Sequence, residues 1–198
     1  MNPNSKVLQN EGGEKVDKKR LLMLIEIAIF AGIGIVLDKL SFSIWAQGGS
    51  ISFVMLPIVL IAIRWGLLAG LTTGLLIGLL QTAFGAYILH PVQGFLDYFV
   101  AFTVVGLAGI VRKPLLKHLS NKKMVVTYIS LGVVLGGMLR YITHTIAGYV
   151  FFKASAGDTH PLLFSISYNG SYMVPAIILT AVAASLLFTA APRLLKHT

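Results

Sequence analysis

The 198-residue chain contains no cysteine, which excludes disulfides, thiolate nucleophiles and cysteine-held metal sites. Charge is almost as scarce. Charged residues make up 12% of the chain, against about 25% in an ordinary soluble domain. Acids are scarcest, at seven Asp and Glu against sixteen Lys and Arg. Neither an HExxH run nor a GxxxxGK segment ending in Ser or Thr is present, and no Ser-His-acid set is evident. Metal-assisted hydrolysis and nucleotide cleavage by this chain therefore lack their side chains. His90, His118, His144, His160 and His197 are scattered, and only His144 falls deep inside an apolar run. No long-period repeat is visible, so the paired halves common in proton-coupled carriers are not in view.

What remains is apolar. Hydrophobic residues form 56% of the chain, which places it in the membrane class. A crossing needs about 20 mostly apolar residues. The pattern predicts an all-α bundle of six transmembrane helices near Leu21–Leu40, Phe53–Arg64, Gly66–Ala86, Gly94–Val111, Met124–Phe152 and Ser171–Leu195. The polar run 1–20 lacks an apolar centre with a cleavage site and reads as a cytoplasmic tail before one membrane domain, residues 21–198. The net charge of +9 would suggest nucleic acid in a soluble protein. Here, thirteen of the sixteen Lys and Arg fall in the tail, the 64–66 link, the 112–123 loop and the end of the chain. By the positive-inside rule both termini are cytoplasmic, and the expected partner is a lipid bilayer rather than nucleic acid.

Polar residues gather toward the other side. Gly136, Arg140, His144, Gly148 and Phe152 recur at four-residue steps, so they share one helix face, with the glycines leaving room beside it. Ionisable groups at this depth usually face a bundle interior or a cavity. Asp97 and Tyr98, Tyr87, Trp45 and the Tyr168-Asn169-Gly170-Ser171-Tyr172 run before the sixth span come to the same level. Asp97 reads as the lone carboxylate there. Separately, Asp97–Arg140 also fits a structural ion pair, the aromatics fit an interfacial belt, and Asn169-Gly170 fits a turn. Together they describe an apolar pocket with a few placed polar groups, suited to a cationic aromatic ligand. A vitamin, a betaine or a polyamine satisfies that chemistry. An intramembrane enzyme using His144 and Asp97, a channel and a purely structural bundle are the other classes. Glu26 is expected to pair with Arg64. Gly66, Gly70, Gly74 and Gly78 form a close-packing face, and Ala28-xxx-Gly32 forms another on the first span.

Five stretches carry a family resemblance: EIAIFAGIG, SFSIWAQGGSISFVMLPI, LDYFVAF, RYITHTIAGYVFF and SYNGSYMVP. Over about 21–196 the chain resembles the thiamine-specific substrate-binding S component of the energy-coupling factor transporters of Gram-positive bacteria. The resemblance implies a non-enzymatic subunit in the cell membrane that binds thiamine near the outer face. It needs no cofactor or metal of its own. Asp97 and Tyr98 would grip the aminopyrimidine, with Tyr87 beside them. Asp97 stands where Glu also occurs in the family. His144 would stack on the thiazolium, Arg140 would supply the basic group one turn earlier, and Gly148 would give clearance. Phe152 stands where Trp also occurs. Trp45 would be the lid aromatic and Asn169 a polar contact ahead of span six, with Tyr168 and Tyr172 nearby. A transmembrane T component and two ATPase subunits would be the partners, contacted through Ala28 and Gly32.

Overall fold

The computed structural model describes residues 3–43 and 49–195, with side chains from Lys18 onward. It is an up-and-down helical bundle with one small hairpin. Helix α1 spans Pro3–Lys39; strands β1 (Phe42–Ser43) and β2 (Ser50–Ile51) follow, then α2 (Met55–Trp65) and α3 (Leu67–Ala83). A composite helix, α4, covers Pro91–Lys117, and α5 (Lys122–Phe151) and α6 (Pro161–Ala190) complete the bundle. Among the described residues four helical stretches are long and apolar enough to cross a membrane: Lys18–Lys39, α4, α5 and α6. Helices α2 and α3 are shorter apolar helices. Leu, Ile, Val and Phe side chains cover the outside, and the core is built from Val54, Ile58, Ile77, Phe102, Ile129, Met173 and their neighbours. An apolar exterior of this kind suits lipid rather than water.

Several boundaries differ from the pattern reading. Helix α1 begins at Pro3, so the polar tail continues the apolar helix without a break. Helix α6 starts at Pro161, ten residues before the expected Ser171. His160 caps it by accepting from the Leu162 N–H at 3.3 Å, and proline suits the first turn, where no N–H is needed. The Tyr168–Tyr172 run is therefore helical rather than a turn, and Asn169 stands within the sixth helix rather than ahead of it. A second His-Pro pair, His90-Pro91, starts α4 in the same way, with His90 accepting from the Val92 N–H at 3.1 Å.

Helix α4 is not a regular α-helix. Phe95–Val100 is wound as a π-helix and Val104–Val111 as a 3₁₀-helix. It lies against the glycine face of α3. A Cβ at Gly74 would strike the Phe102 carbonyl, one at Gly78 the Tyr98 carbonyl, and one at Gly70 the Ala62 side chain. Glycine from α4 answers: a Cβ at Gly106 would strike the Gly70 and Leu71 backbone. The four-residue glycine spacing thus serves internal packing, bringing two backbones into direct contact. Gly66, at φ +105°, makes the single-residue link between α2 and α3, a conformation that glycine adopts without a Cβ penalty.

Candidate functional site

At the end of the bundle where α1, α3 and α5 finish and α4 and α6 begin lies a cavity of about 490 Å³. The end of α1 and the β1–β2 hairpin border one side, and α3, α4, α5 and α6 supply the rest of the wall. The hairpin pairs Phe42 with Ile51 and Ser43 with Ser50. Its return strand is seated on α6: Gly49 has φ +79°, and a Cβ there would lie 2.7 Å from the Tyr172 ring. That combination of backbone angle and contact admits only glycine comfortably.

Of the eleven residues expected at a ligand site, Tyr87, Asp97, Tyr98, Arg140, His144, Gly148, Phe152, Tyr168, Asn169 and Tyr172 all line this cavity. Trp45 lies outside the described residues. The polar members form one connected network. Arg140 is buried, with 9% of its surface exposed. Its Nε donates to His144 Nε2 at 3.2 Å, and its guanidinium carbon sits 4.1 Å from the centre of the Phe102 ring. Guanidinium groups have no acceptor, so Nε2 of His144 must be the unprotonated nitrogen. The imidazole proton is then on Nδ1, which donates to Asp97 Oδ1 at 2.8 Å. The other carboxylate oxygen of Asp97 accepts from Gln93 Nε2 at 2.6 Å. Asp97 and Arg140 therefore form no direct ion pair; the imidazole stands between them. Both ring nitrogens of His144 are engaged inside the protein, which fixes the orientation of the imidazole between Arg140 and Asp97.

A second network ties α6 to α5. Asn169 Nδ2 donates to the Ser165 carbonyl at 2.8 Å and Tyr172 OH donates to Asn169 Oδ1 at 2.5 Å, while Ser165 Oγ reaches the Thr145 carbonyl at 2.8 Å. These bonds let asparagine sit inside a helix by meeting its side-chain amide locally. They also correct the reading of the glycines on α5 as open gaps. A Cβ at Gly148 would meet Ser165 Oγ and Asn169 Nδ2, and one at Gly136 would meet the Val105 backbone at 2.6 Å. The room beside the stripe is taken up by neighbouring helices, although Gly148 still borders the cavity.

The aromatic wall falls into two groups of ring contacts. Tyr87 lies 6.3 Å from Phe152, His144 6.2 Å edge-on to Tyr172, and Tyr172 6.1 Å edge-on to Tyr168. Tyr98 OH accepts from the Tyr87 N–H at 2.9 Å, fixing the turn after α3 over the pocket. The polar members of the wall that the pattern reading missed include Asp38, Gln81 and Gln93. Asp97 is thus not the lone carboxylate. Asp38 stands beside Lys39 at a helix end, where polar residues mark a boundary, and only its position on the inward face distinguishes it. Gln93, four residues before Asp97, was detectable as an i, i+4 partner.

The opposite end of the bundle carries the expected Glu26–Arg64 pair. Arg64 Nε and Nη2 reach the two Glu26 oxygens at 2.6 and 2.9 Å, and Trp65 Nε1 donates to Glu26 at 2.6 Å. Arg64 also donates to the Leu194 carbonyl at 3.1 Å. Ala28 and Gly32 are exposed on α1, and nothing lies within 4 Å of a Cβ built at Gly32.

Comparison with known proteins agrees along almost the whole chain. Residues 24–196 match the family described as thiamine transporter protein. The chain is 46% identical over 185 residues to a thiamine transporter of Bacillus subtilis strain 168, covering 90% of this chain and 96% of that one. It is 32% identical over 183 residues to a thiamine transporter of Lacticaseibacillus paracasei, covering 89% and 91%. Its fold is similar to that of a solved protein from Listeria monocytogenes, with a TM-score of 0.84, 35% identity, and coverage of 89% of this chain and 98% of that one. A glycine-packed helical bundle with a polar, aromatic cavity at one end, matched over this length, belongs to the thiamine transporter protein family.

Proposed function

We propose that this chain is the thiamine-binding S component of an energy-coupling factor importer, a transport subunit and not an enzyme, in the cell membrane of a Gram-positive bacterium. The observation that carries the reading is the convergence of ten expected ligand residues on one cavity of about 490 Å³, within the roughly 300–1,000 Å³ of small-molecule sites. In this reading Asp97 and Tyr98 hold the aminopyrimidine, and His144 lies against the thiazolium. Tyr87, Phe152, Tyr168 and Tyr172 give aromatic walls, Arg140 positions the imidazole, Asn169 offers a polar contact, and Trp45 closes the loop over the ligand. An uncharged imidazole face suits a cationic ring, which a protonated one would repel.

Six crossings follow if α2 and α3 traverse the bilayer with the four longer helices. An even number brings both termini to one side, and the basic loops make that side cytoplasmic. The cavity then opens outward, residues 21–198 form one membrane domain, and residues 1–20 stay inside. The chain carries no phosphate-binding loop, so a T component and two ATPase subunits supply the energy. The exposed Ala28–Gly32 face is where the T component approaches, since small residues allow close helix contact.

Titration calorimetry of the detergent-solubilised protein with thiamine tests the reading. Saturable one-to-one binding is expected, together with quenching of tryptophan fluorescence that disappears in Trp45→Phe. Absence of any thiamine binding would refute the ligand assignment.

A further inference from the structure

The cavity contains a carboxylate to which the reading above gives no role. Asp38 lies one residue before the end of α1 and borders the cavity. Gln81 of α3 borders the same cavity, and Asp38 lies within electrostatic reach of Arg140, Lys39 and Tyr98. It is thus on the α1 side of Arg140, while Asp97 is reached from Arg140 through His144 on the α4 side.

The charges around the cavity can be counted. Arg140 contributes one positive charge. Nε2 of His144 accepts from Arg140 and Nδ1 donates to Asp97, so the imidazole in this network contributes none. Asp97 and Asp38 contribute two negative charges. Lys39 also borders the cavity and lies within electrostatic reach of Asp38, but its ammonium is exposed and held on the Phe84 carbonyl at 3.1 Å, where water and salt screen its charge more than that of the buried Arg140. The interior therefore carries one surplus negative charge. Without Asp38, Arg140 and Asp97 would cancel.

We propose that Asp38 is a specificity-determining residue, supplying the surplus negative charge that selects a monocationic ligand and rejects the same ligand once it bears a phosphate. The proposal rests on the thiamine reading and extends it to discrimination by charge. Thiamine carries one fixed positive charge on its thiazolium ring. A phosphate ester adds about −1.5 to −2 at neutral pH, which removes the charge match and places anionic oxygens in a cavity that already holds two carboxylates. The neutral isostere of thiamine, in which a thiophene replaces the thiazolium, keeps the shape and lacks the charge.

The test is calorimetry on the full chain with three probes: thiamine, thiamine monophosphate and the neutral thiophene isostere. Asp38→Asn keeps the size of the side chain. It is expected to weaken thiamine about tenfold or more, the scale of one partly screened charge. It should change the isostere by less than about threefold and shrink the preference for thiamine over its monophosphate about tenfold. Asp38→Glu should restore that preference. Equal weakening of thiamine and the isostere would show a purely structural role and overturn the proposal, as would an unchanged preference. If Asp38→Asn does not fold, the wild-type protein decides: comparable affinity for thiamine and the neutral isostere overturns the proposal without any variant. Failure of the wild-type protein to bind thiamine at all would instead overturn the functional reading, and this inference with it.

Discussion

Replacing Asp97 by asparagine exchanges one oxygen for an NH₂ group at nearly constant volume, yet both oxygens are committed as acceptors. Gln93 cannot turn over to compensate. Its Oε1 accepts from the Leu89 N–H at 2.9 Å, and its Nε2 donates to the Tyr87 carbonyl at 3.3 Å as well as to Asp97 at 2.6 Å. His144 cannot move its proton either, because Arg140 occupies Nε2 with a donor. Either orientation of the asparagine therefore points an N–H at another N–H. One charge-assisted hydrogen bond is lost, about 1.5–3 kcal/mol, and the other becomes a neutral bond, about 1 kcal/mol weaker. Gln93 is only 1% exposed, so water does not readily replace the missing acceptor. Stability is expected to fall by about 2–4 kcal/mol. Thiamine affinity should fall by about 2 kcal/mol or more, roughly thirtyfold. Asp97→Glu keeps two acceptor oxygens and should retain most of the binding. Calorimetric titration gives the affinity and thermal unfolding in detergent gives the stability. An Asp97→Asn protein with wild-type melting and affinity within about threefold would refute the two-acceptor reasoning.

Gly74→Ala should destabilise the bundle by about 1–3 kcal/mol, because the added methyl meets the Phe102 backbone and not a side chain that can turn away. Gly32→Ala, with nothing within 4 Å, should be neutral or stabilise by up to about 1 kcal/mol; comparable melting of the two variants would contradict the packing account. Glu26→Gln removes the carboxylate shared by Arg64 and Trp65. It should cost about 2 kcal/mol and shift Trp65 emission to the red in a Trp45→Phe background, whereas unchanged emission would place Trp65 elsewhere. Ala28→Trp should block co-purification with a T component while leaving thiamine calorimetry unchanged; normal assembly would count against the α1 contact.

The cavity was more legible than the helix boundaries, and the reason lies in what each signal depends on. Arg140 and His144 are costly in an apolar run, so their four-residue spacing defines an inward face whatever surrounds them. Glu26 and Arg64 likewise stand out where charge is rare. The start of α6 was hidden because Asn169-Gly170 is good turn chemistry. In the fold, Ser165 and Tyr172 meet the Asn169 side chain and His160-Pro161 supplies the real beginning. The π and 3₁₀ winding of α4 has no local sequence signature. It occurs along the region packed on the α3 glycines, a contact between residues 20 to 36 positions apart. Asp38 was overlooked because a lone carboxylate next to a lysine at a helix end has the same local pattern whether it faces lipid headgroups or a ligand.

The glycine seam between α3 and α4 has a consequence for how the pocket tolerates change. Ordinary helix contacts contain a layer of side chains that can adopt new rotamers and absorb a shift. At Gly74 against Phe102 and Gly78 against Tyr98 that layer is missing. Tyr98 and Phe102 both border the cavity, so this wall behaves as a rigid template and sets fixed positions for the groups it presents. In the proposed reading a bulkier analogue of thiamine is expected to gain its space on the side formed by α1 and the hairpin, where Gly34 and Gly49 meet the Ile77 and Tyr172 side chains rather than backbone. Tolerance toward altered ligands is then expected to be directional, lower for changes on the face toward Tyr98 than for changes on the face toward Asp38.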